Sequence, residues 1–293
     1  MVKLAIIGDT EIKHYSVADR LWELISVVID QKIKCNITPL ATPTEALAAF
    51  ETFKKDRSCI GLEIFPPWRE VLSEWVDKLE DVANPPAIEL AYKDASGVIV
   101  GANTSPRAVQ RALESEINLY KCKSVLVIGT NNSGLSLARH LCDNLDKATY
   151  LYDPLAPAQL QSKGVVLLAS LDRLTERKYD LIINMTPLGR YYFNKQVEAF
   201  TSPLDLDTLS SITHKDTIVQ ETNHLPTTTL LLQMAGHLQL KVVTGGLTLV
   251  YEAVESLGHY FGISLDQNTV RMLVEEINIH IAEREATILA QGT

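Results

Sequence analysis

In the stretch SVLVIGTNNSGLSLARHL, from Ser124 to Leu141, an apolar run stops at Gly129 and a helical pattern starts by Gly134. A strand that turns through glycine into a helix can hold a phosphate, because backbone N–H groups and the positive end of the helix dipole converge there. In the dinucleotide fingerprint G-x-G-x-x-G the middle glycine lets the backbone approach the pyrophosphate. Here that place is Asn131, a residue type that tolerates a left-handed backbone after glycine. Gly129, Asn131, Asn132, Ser133 and Gly134 are therefore candidate cofactor contacts. Asp153 closes the run TYLYD about 24 residues after Gly129, and Pro154-Leu155-Ala156-Pro157 behind it supplies no cation. An acidic residue near that spacing accepts from a ribose 2′-hydroxyl and repels a 2′-phosphate, so the expected cofactor is NAD, with NADP disfavoured. Asn184, Thr186, Pro187 and Leu188 follow the apolar strand in YDLIINMTPLG, at the carboxyl end where open α/β sheets bind ligands, and are further expected cofactor contacts.

These residues need a framework that alternates strands and helices. KLAIIG reads as a strand, VADRLWELISVVIDQ as an amphipathic helix, and KCNITPLA and SCIGLEIF as further strands, which is the rhythm of a mostly parallel sheet. In IELAYKDASGVIVGANT two apolar runs flank Asp94-Ala95-Ser96-Gly97, the signature of an antiparallel hairpin. SPRAVQRALESEINLY follows as a helix with Ser105 as N-cap and Pro106 as its first residue. The rhythm then restarts through SVLVIG, ATYLYD with a helix behind it, GVVLLA, YDLIINMTPLG, DTIVQE, the helix TTLLLQMAGHLQ and LKVVTGG, a doubly wound nucleotide-binding pattern. The expected fold class is α/β. One domain covers 1–104 and is completed by 246–293, whose last helices are expected to pack back onto it, and 105–245 form the dinucleotide-binding domain.

At 293 residues the chain exceeds one comfortable core, and 46% apolar residues supply two. A net charge of −9 without a basic cluster disfavours nucleic acid as a partner. Cys35, Cys59, Cys122 and Cys142 show neither CxxC pairing nor histidine at ligand spacing, so no metal is expected and the cysteines read as reduced, in a cytoplasmic protein. No segment reaches the roughly 20 apolar residues of a membrane span, and MVKLAIIGDTEIK turns polar too soon for a signal peptide. The expected partner is a small-molecule substrate, with the oligomeric state left open and a homodimer as the one named option.

Several stretches, in order, resemble the shikimate and quinate dehydrogenase family: AIIGDTEIKHYS its first strand and substrate loop, GLEIFPPWRE its GLNVTxPxKE, GVIVGANTS its GxxxGxNTD, IINMTPLG its NxTxxGM, and GGLTLVYEA its GxxMLxxQA. The resemblance runs nearly to Gly262 and implies an N-terminal α/β substrate domain plus a Rossmann-type domain. It also implies a catalytic lysine and aspartate, whose positions here are Arg69 and Ser105. Arginine, with a pKa above about 12, clamps carboxylates but does not shuttle protons near neutrality. The substrate-facing positions implied are His14 and Ser16 for two serines, Glu63 and Phe65 for Asn and Thr, Glu89 for Asn and Glu252 for Gln. Asn223 stands for the tyrosine of YNPxxT, and Asn103 is unchanged.

Carboxylates in place of amides replace donors by acceptor-only groups, which suits an amine or a polyhydroxylated ring. The reading is a diverged NAD(P)-dependent oxidoreductase of a shikimate- or quinate-like ring, hydroxylated or amino-substituted, in the shikimate pathway's chemistry. Its alternative is a non-catalytic member, a pseudoenzyme that binds a metabolite or partner. For Arg69 a surface ion pair with Glu70 or Glu74 is the plainer alternative, and Glu89 and Glu252 are open to being solvated.

Overall fold

A computed structural model describes residues 1–80, 87–155, 164–190 and 201–291. The chain divides into two compact units, Met1–Ala108 with Val250–His280, and Val109–Leu249 with the residues from Ile281 onward.

The first unit begins with β1 (Val2–Gly8), α1 (Ile12–Tyr15), α2 (Ala18–Val28), β2 (Ile33–Pro39), α3 (Pro43–Lys55), β3 (Cys59–Ile64) and α4 (Trp68–Ser73). β4 (Lys78–Glu80), β5 (Leu90–Lys93), β6 (Ile99–Ala102) and the start of α5 (Ser105–Glu116) follow. Its sheet order is β2-β1-β3-β5-β6-β4. β1 is parallel to β2 and β3, and β5 is antiparallel to β3 and β6. The β5–β6 turn forms because Asp94 Oδ1 accepts from the Ser96 and Val98 N–H groups, while Gly97 supplies φ +85°. α3 starts at a reciprocal cap between Thr42 and Glu45 and buries Phe50 and Phe53 against Ile7 and Leu62.

The second unit holds β7 (Ser124–Ile128), α6 (Asn132–Leu145), β8 (Ala148–Tyr152), β9 (Val165–Leu167), α7 (Leu171–Thr175), β10 (Leu181–Asn184), α8 (Leu206–Ile212), β11 (Ile218–Glu221), α9 (Leu230–His237) and β12 (Lys241–Val243). All its strand pairs are parallel, in the order β12-β11-β10-β7-β8-β9. That is the doubly wound order in which β7 and β10 flank the point where the winding reverses, the place where such sheets bind ligands. The central strands β7 and β10 carry near-continuous buried apolar runs, as strands of a parallel sheet covered on both faces do. The helix expected behind TYLYD falls on 156–163, outside the described residues.

α10 (Gly245–Phe261) and α11 (Gln267–Gln291) end the chain. The expectation that the whole tail completes the first unit is corrected at its end. From Ile281 onward the chain groups with the second unit, where Glu285 Oε2 accepts from the N–H and hydroxyl of Thr227, a bond that the apolar spacing of the tail does not encode.

Candidate active site

At the winding reversal, Gly129 has φ +118°, a conformation that L side chains rarely adopt, and a Cβ there would stand 3.1 Å from the Met185 carbonyl carbon. A Cβ on Gly134 would lie 2.1 Å from the Gly129 oxygen, so the turn closes only over bare backbone. Asn131 does not use the left-handed conformation that its place in the fingerprint suggests. It is extended (φ −60°, ψ 166°) and caps α6, its Oδ1 accepting from Gly134 N at 2.8 Å while Nδ2 donates to the Met185 oxygen at 2.9 Å. One side chain thus ties the loop after β7 to the loop after β10. Asn132 and Ser133 form the first turn of α6.

Asp153 stands directly after β8, and its carboxylate is largely engaged. Oδ2 accepts from the N–H and hydroxyl of Thr130 at 2.7 and 2.8 Å, and Oδ1 from Leu155 N at 2.8 Å. With about four lone-pair sites on a carboxylate, one remains for a ribose hydroxyl.

Asn184 and Thr186, expected as cofactor contacts, are instead buried and bonded inside their own loop. Asn184 Oδ1 accepts from the Thr186 N–H and hydroxyl, and Asn184 Nδ2 donates to both oxygens of Glu221 at 3.0 Å. Pro187 is exposed and Leu188 half-buried. Glu221 is the residue that organises this end of the sheet. Besides Asn184 it accepts from Thr222 N, Asn223 N and the Thr229 hydroxyl, and burial pushes its pKa up to about 7. The trace of it in the sequence is a charged residue closing the apolar run TIVQE. Asn223 is corrected as well: its Nδ2 donates to the carbonyls of Thr186 and Leu188 and so holds this loop. Aligned on Pro226 and Thr229, the motif YNPxxT puts its tyrosine on His224, one residue later than Asn223.

In the first unit the structure brings Arg69, Glu89, Ser105 and Glu252 together. Arg69 Nη1 lies 2.6 Å from Glu89 Oε1, and its Nε donates to the Ile64 carbonyl at 3.0 Å, so it is not a surface partner of Glu74. Glu89, 5% exposed, also receives the N–H and hydroxyl of Thr104 and the N–H of Ser105 on Oε2. The Ser105 hydroxyl stands 2.6 Å from Glu89 Oε1 and 2.7 Å from Glu252 Oε1. Five donors exhaust a carboxylate, which corrects the expectation that Glu89 faces substrate. It is an anion seated on the start of α5, where two unsatisfied N–H groups and the helix dipole favour it. Ser105 is also not the N-cap. Thr104, whose carbonyl accepts from Ala108 N, holds that place, and Ser105 opens the helix with its hydroxyl turned to the carboxylates.

Glu252, Ser256 and Tyr260 recur every four residues on α10, a spacing that marks one helix face and that sequence reading passed over. Both Ser256 and Tyr260 hydrogen-bond Glu63 on β3, Tyr260 at 3.0 Å, and Gly61 leaves room for the Tyr260 ring. Burial raises Glu63 to about 7, with the charges of Glu252 and Glu89 adding to it. Asn103 is buried, and neither polar atom of its side chain has a protein partner. Ser16 is buried and accepts from Ala18 N at 3.2 Å; Phe65 packs its ring 6.5 Å from Tyr15; His14 is exposed at the end of α1. Among the described residues no group of acidic, histidine or cysteine side chains is placed to hold a metal, and no helix is long and apolar enough to cross a membrane.

No family model matches the chain. A protein named shikimate dehydrogenase (NADP(+)) from Caldicellulosiruptor bescii is 27% identical over 272 residues, 90% of each chain. The solved shikimate 5-dehydrogenase of Thermus thermophilus, in complex with NADP(H) and shikimate, superposes with a TM-score of 0.77 over 94% of this chain and 99% of that one, at 18% identity. The chain is similar to shikimate dehydrogenases in sequence and in fold. Quinate dehydrogenase from Corynebacterium glutamicum, in complex with NAD, shares the fold as well, with a TM-score of 0.71 over 94% of this chain and 97% of that one, at 19% identity. Against this shikimate dehydrogenase frame, the two positions that the resemblance assigns to lysine and aspartate are here joined through Glu89 rather than to each other.

Proposed function

We propose that the protein is a nicotinamide-dependent oxidoreductase interconverting an alcohol and a ketone on a shikimate- or quinate-like ring, hydroxylated or amino-substituted, with the first unit holding the substrate and the second the cofactor. The observation that carries this reading is the bare turn at the winding reversal, where Gly129 and Gly134 exclude side chains as a pyrophosphate cradle requires. The first turn of α6 would hold the phosphates and the remaining lone pair of Asp153 a ribose hydroxyl. A bound nicotinamide supplies or accepts hydride. The chain's own residues orient the ring and handle the proton: the carboxylates favour hydroxyl or ammonium donors, and Arg69, locked on Glu89 and the Ile64 carbonyl, keeps the acidic group in place.

NAD is proposed over NADP, although the curated relative's name carries NADP. Asp153 is acidic, and Pro154 and Leu155 offer no positive charge to a 2′-phosphate. The bridge from Asn131 to the Met185 carbonyl favours a second reading, a binding protein without turnover, because it occupies backbone that a dinucleotide would approach. Calorimetric titration with NAD, NADP and their reduced forms, followed by turnover of shikimate and quinate, separates the two. Saturable dinucleotide binding supports the oxidoreductase, and binding of a ring compound without any dinucleotide supports the other.

A further inference from the structure

We propose that the cleft between α3 and the outer strand β2 of the first unit is a second binding site, one that takes a small organic monoanion, a carboxylate carried on an apolar ring or short chain. The cleft shares no residue with the cluster of Arg69, Glu89, Ser105 and Glu252, and the inference stands apart from the oxidoreductase reading.

The cleft follows from what α3 leaves uncovered. β2 is the outer strand of its sheet, and α3 packs Phe50 and Phe53 with Ile7, Leu62 and Ile64 of β1 and β3. No residue of β2 joins that cluster. Ala5 on β1 and Ala49 on α3, both half-buried, are too short to close the gap, and a cleft of about 450 Å³ opens there. That volume lies in the range of small-molecule sites. Ala5, Ile7, Ala49, Phe53 and Leu62 give it an apolar floor.

One end of the cleft carries unbalanced charge. The parallel register of β1 and β2 sets Lys3 beside Lys34, Ala5 beside Asn36 and Ile7 beside Thr38, all on the face that lines the cleft. Like charges placed side by side on neighbouring strands repel. Asp56, which follows α3, relieves only one of them. Its Oδ2 lies 2.8 Å from Lys3 Nζ, and its Oδ1 accepts from the Ser58 N–H and hydroxyl. Among the described residues Lys34 has no ion-pair partner. Lys93 Nζ donates to the carbonyls of Phe53 and Asp56 at 2.8 and 2.6 Å, which offsets the negative end of the α3 dipole beside the lysine pair. The charged groups lining the cleft are thus two cations and one anion, and Asn36, Thr38 and Thr52 are neutral. One excess positive charge over an apolar floor matches a monoanion with an apolar body. Its carboxylate accepts a charge-assisted hydrogen bond from Lys34, while the ring or chain covers Ala5, Ala49 and Phe53. A dianion would keep an uncompensated charge next to Asp56, and a neutral compound would forgo the lysine.

The test is a titration of the full-length protein with benzoate, followed by carbon-13 NMR of the alanine methyl groups, with Ala5→Ser and Ala49→Ser assigning the two reporters. Both methyls lie in the cleft, so benzoate bound elsewhere does not move them in its place. Saturable shifts of both, with a dissociation constant of about 1 mM, are the expected result. Absence of saturable shifts overturns the site. Lys34→Gln, at an exposed position, should weaken benzoate about tenfold, the loss expected for one hydrogen bond to a charged group; unchanged affinity overturns the recognition by charge. Benzylamine should leave both methyls unmoved and benzamide should bind more weakly than benzoate. Equal binding of the three would make the cleft an apolar crevice without charge selection and overturn the ligand class. Inorganic phosphate that moves both methyls as far as benzoate does would overturn the need for an apolar body.

Discussion

Replacing Glu89 by glutamine keeps the shape of the side chain and removes its charge, which makes it a direct probe of the ion pair. Five donors converge on this carboxylate, from Arg69, Thr104 and Ser105. The amide offers one oxygen, and its NH2 must face either Arg69 and the Ser105 hydroxyl or the donors of Thr104 and Ser105 N. Breaking a buried pair by removing one partner costs about 3–5 kcal/mol, and loss of an anion at a helix start about 0.3–1 kcal/mol more. Arg69 retains 17% exposure, so water recovers part of that cost and about 3 kcal/mol is the expected loss. The tryptophans Trp22, Trp68 and Trp75 all lie in the first unit, so their fluorescence in urea reports that unit. With a slope of about 1–3 kcal/mol per molar urea, the midpoint should fall by about 1 M or more at an unchanged slope. Arg69→Met added to Glu89→Gln should recover part of the loss, because the cation that has lost its Glu89 carboxylate is removed. A loss under about 1 kcal/mol, or a double variant no better than the single one, would refute the anchoring role.

Gly134→Ala places a methyl group 2.1 Å from the Gly129 oxygen and should abolish dinucleotide binding in calorimetry; undiminished affinity would mean that the turn is not the cradle. Stability should fall as pH rises from 5 to 8, because Glu63 and Glu221 are raised from 4.5 to about 7. The folded state then keeps protons that the unfolded state has already released, a contribution fully present below about pH 4.5, lost through pH 7, and worth about 3 kcal/mol for each group. Urea midpoints across that range check it, with Glu63→Gln flattening the fluorescence-detected slope; a rising or unaltered slope would be the contrary result. Asp153→Ser should narrow the preference for NAD over NADP by removing the acidic group, and it should also loosen Thr130, seen as faster exchange of the Thr130 amide.

Periodicity and turn chemistry made the fold legible. The glycine turn, the Asp94–Gly97 hairpin and the alternation of apolar runs with amphipathic helices all concern neighbours in sequence, and the structure forms them through local bonds. What could not be read was which way a polar residue at a strand end spends its hydrogen bonds. Asn184 and Thr186 satisfy each other and Glu221, and Glu89 caps a helix that starts 16 residues later in the chain. Such bonds depend on register between distant elements. The four-residue spacing of Glu252, Ser256 and Tyr260 was visible, but one polar face on an otherwise apolar helix reads as solvated until β3 supplies Glu63 opposite it. The Asn223 position went astray for a simpler reason, a one-residue slip that Pro226 corrects.

The central claim, that this chain is a working nicotinamide enzyme, is tested most directly by titrating NADH and NADPH into the purified full-length protein in a calorimeter, beside Gly134→Ala. Saturable binding below about 1 mM, tighter for NADH and absent in the variant, is the predicted result; a 1 mM dissociation constant corresponds to about −4.1 kcal/mol, a weak but real site. If neither dinucleotide gives saturable heat at millimolar concentration, the loop GTNNSG keeps the geometry of a cofactor turn without its function, and the oxidoreductase account is contradicted.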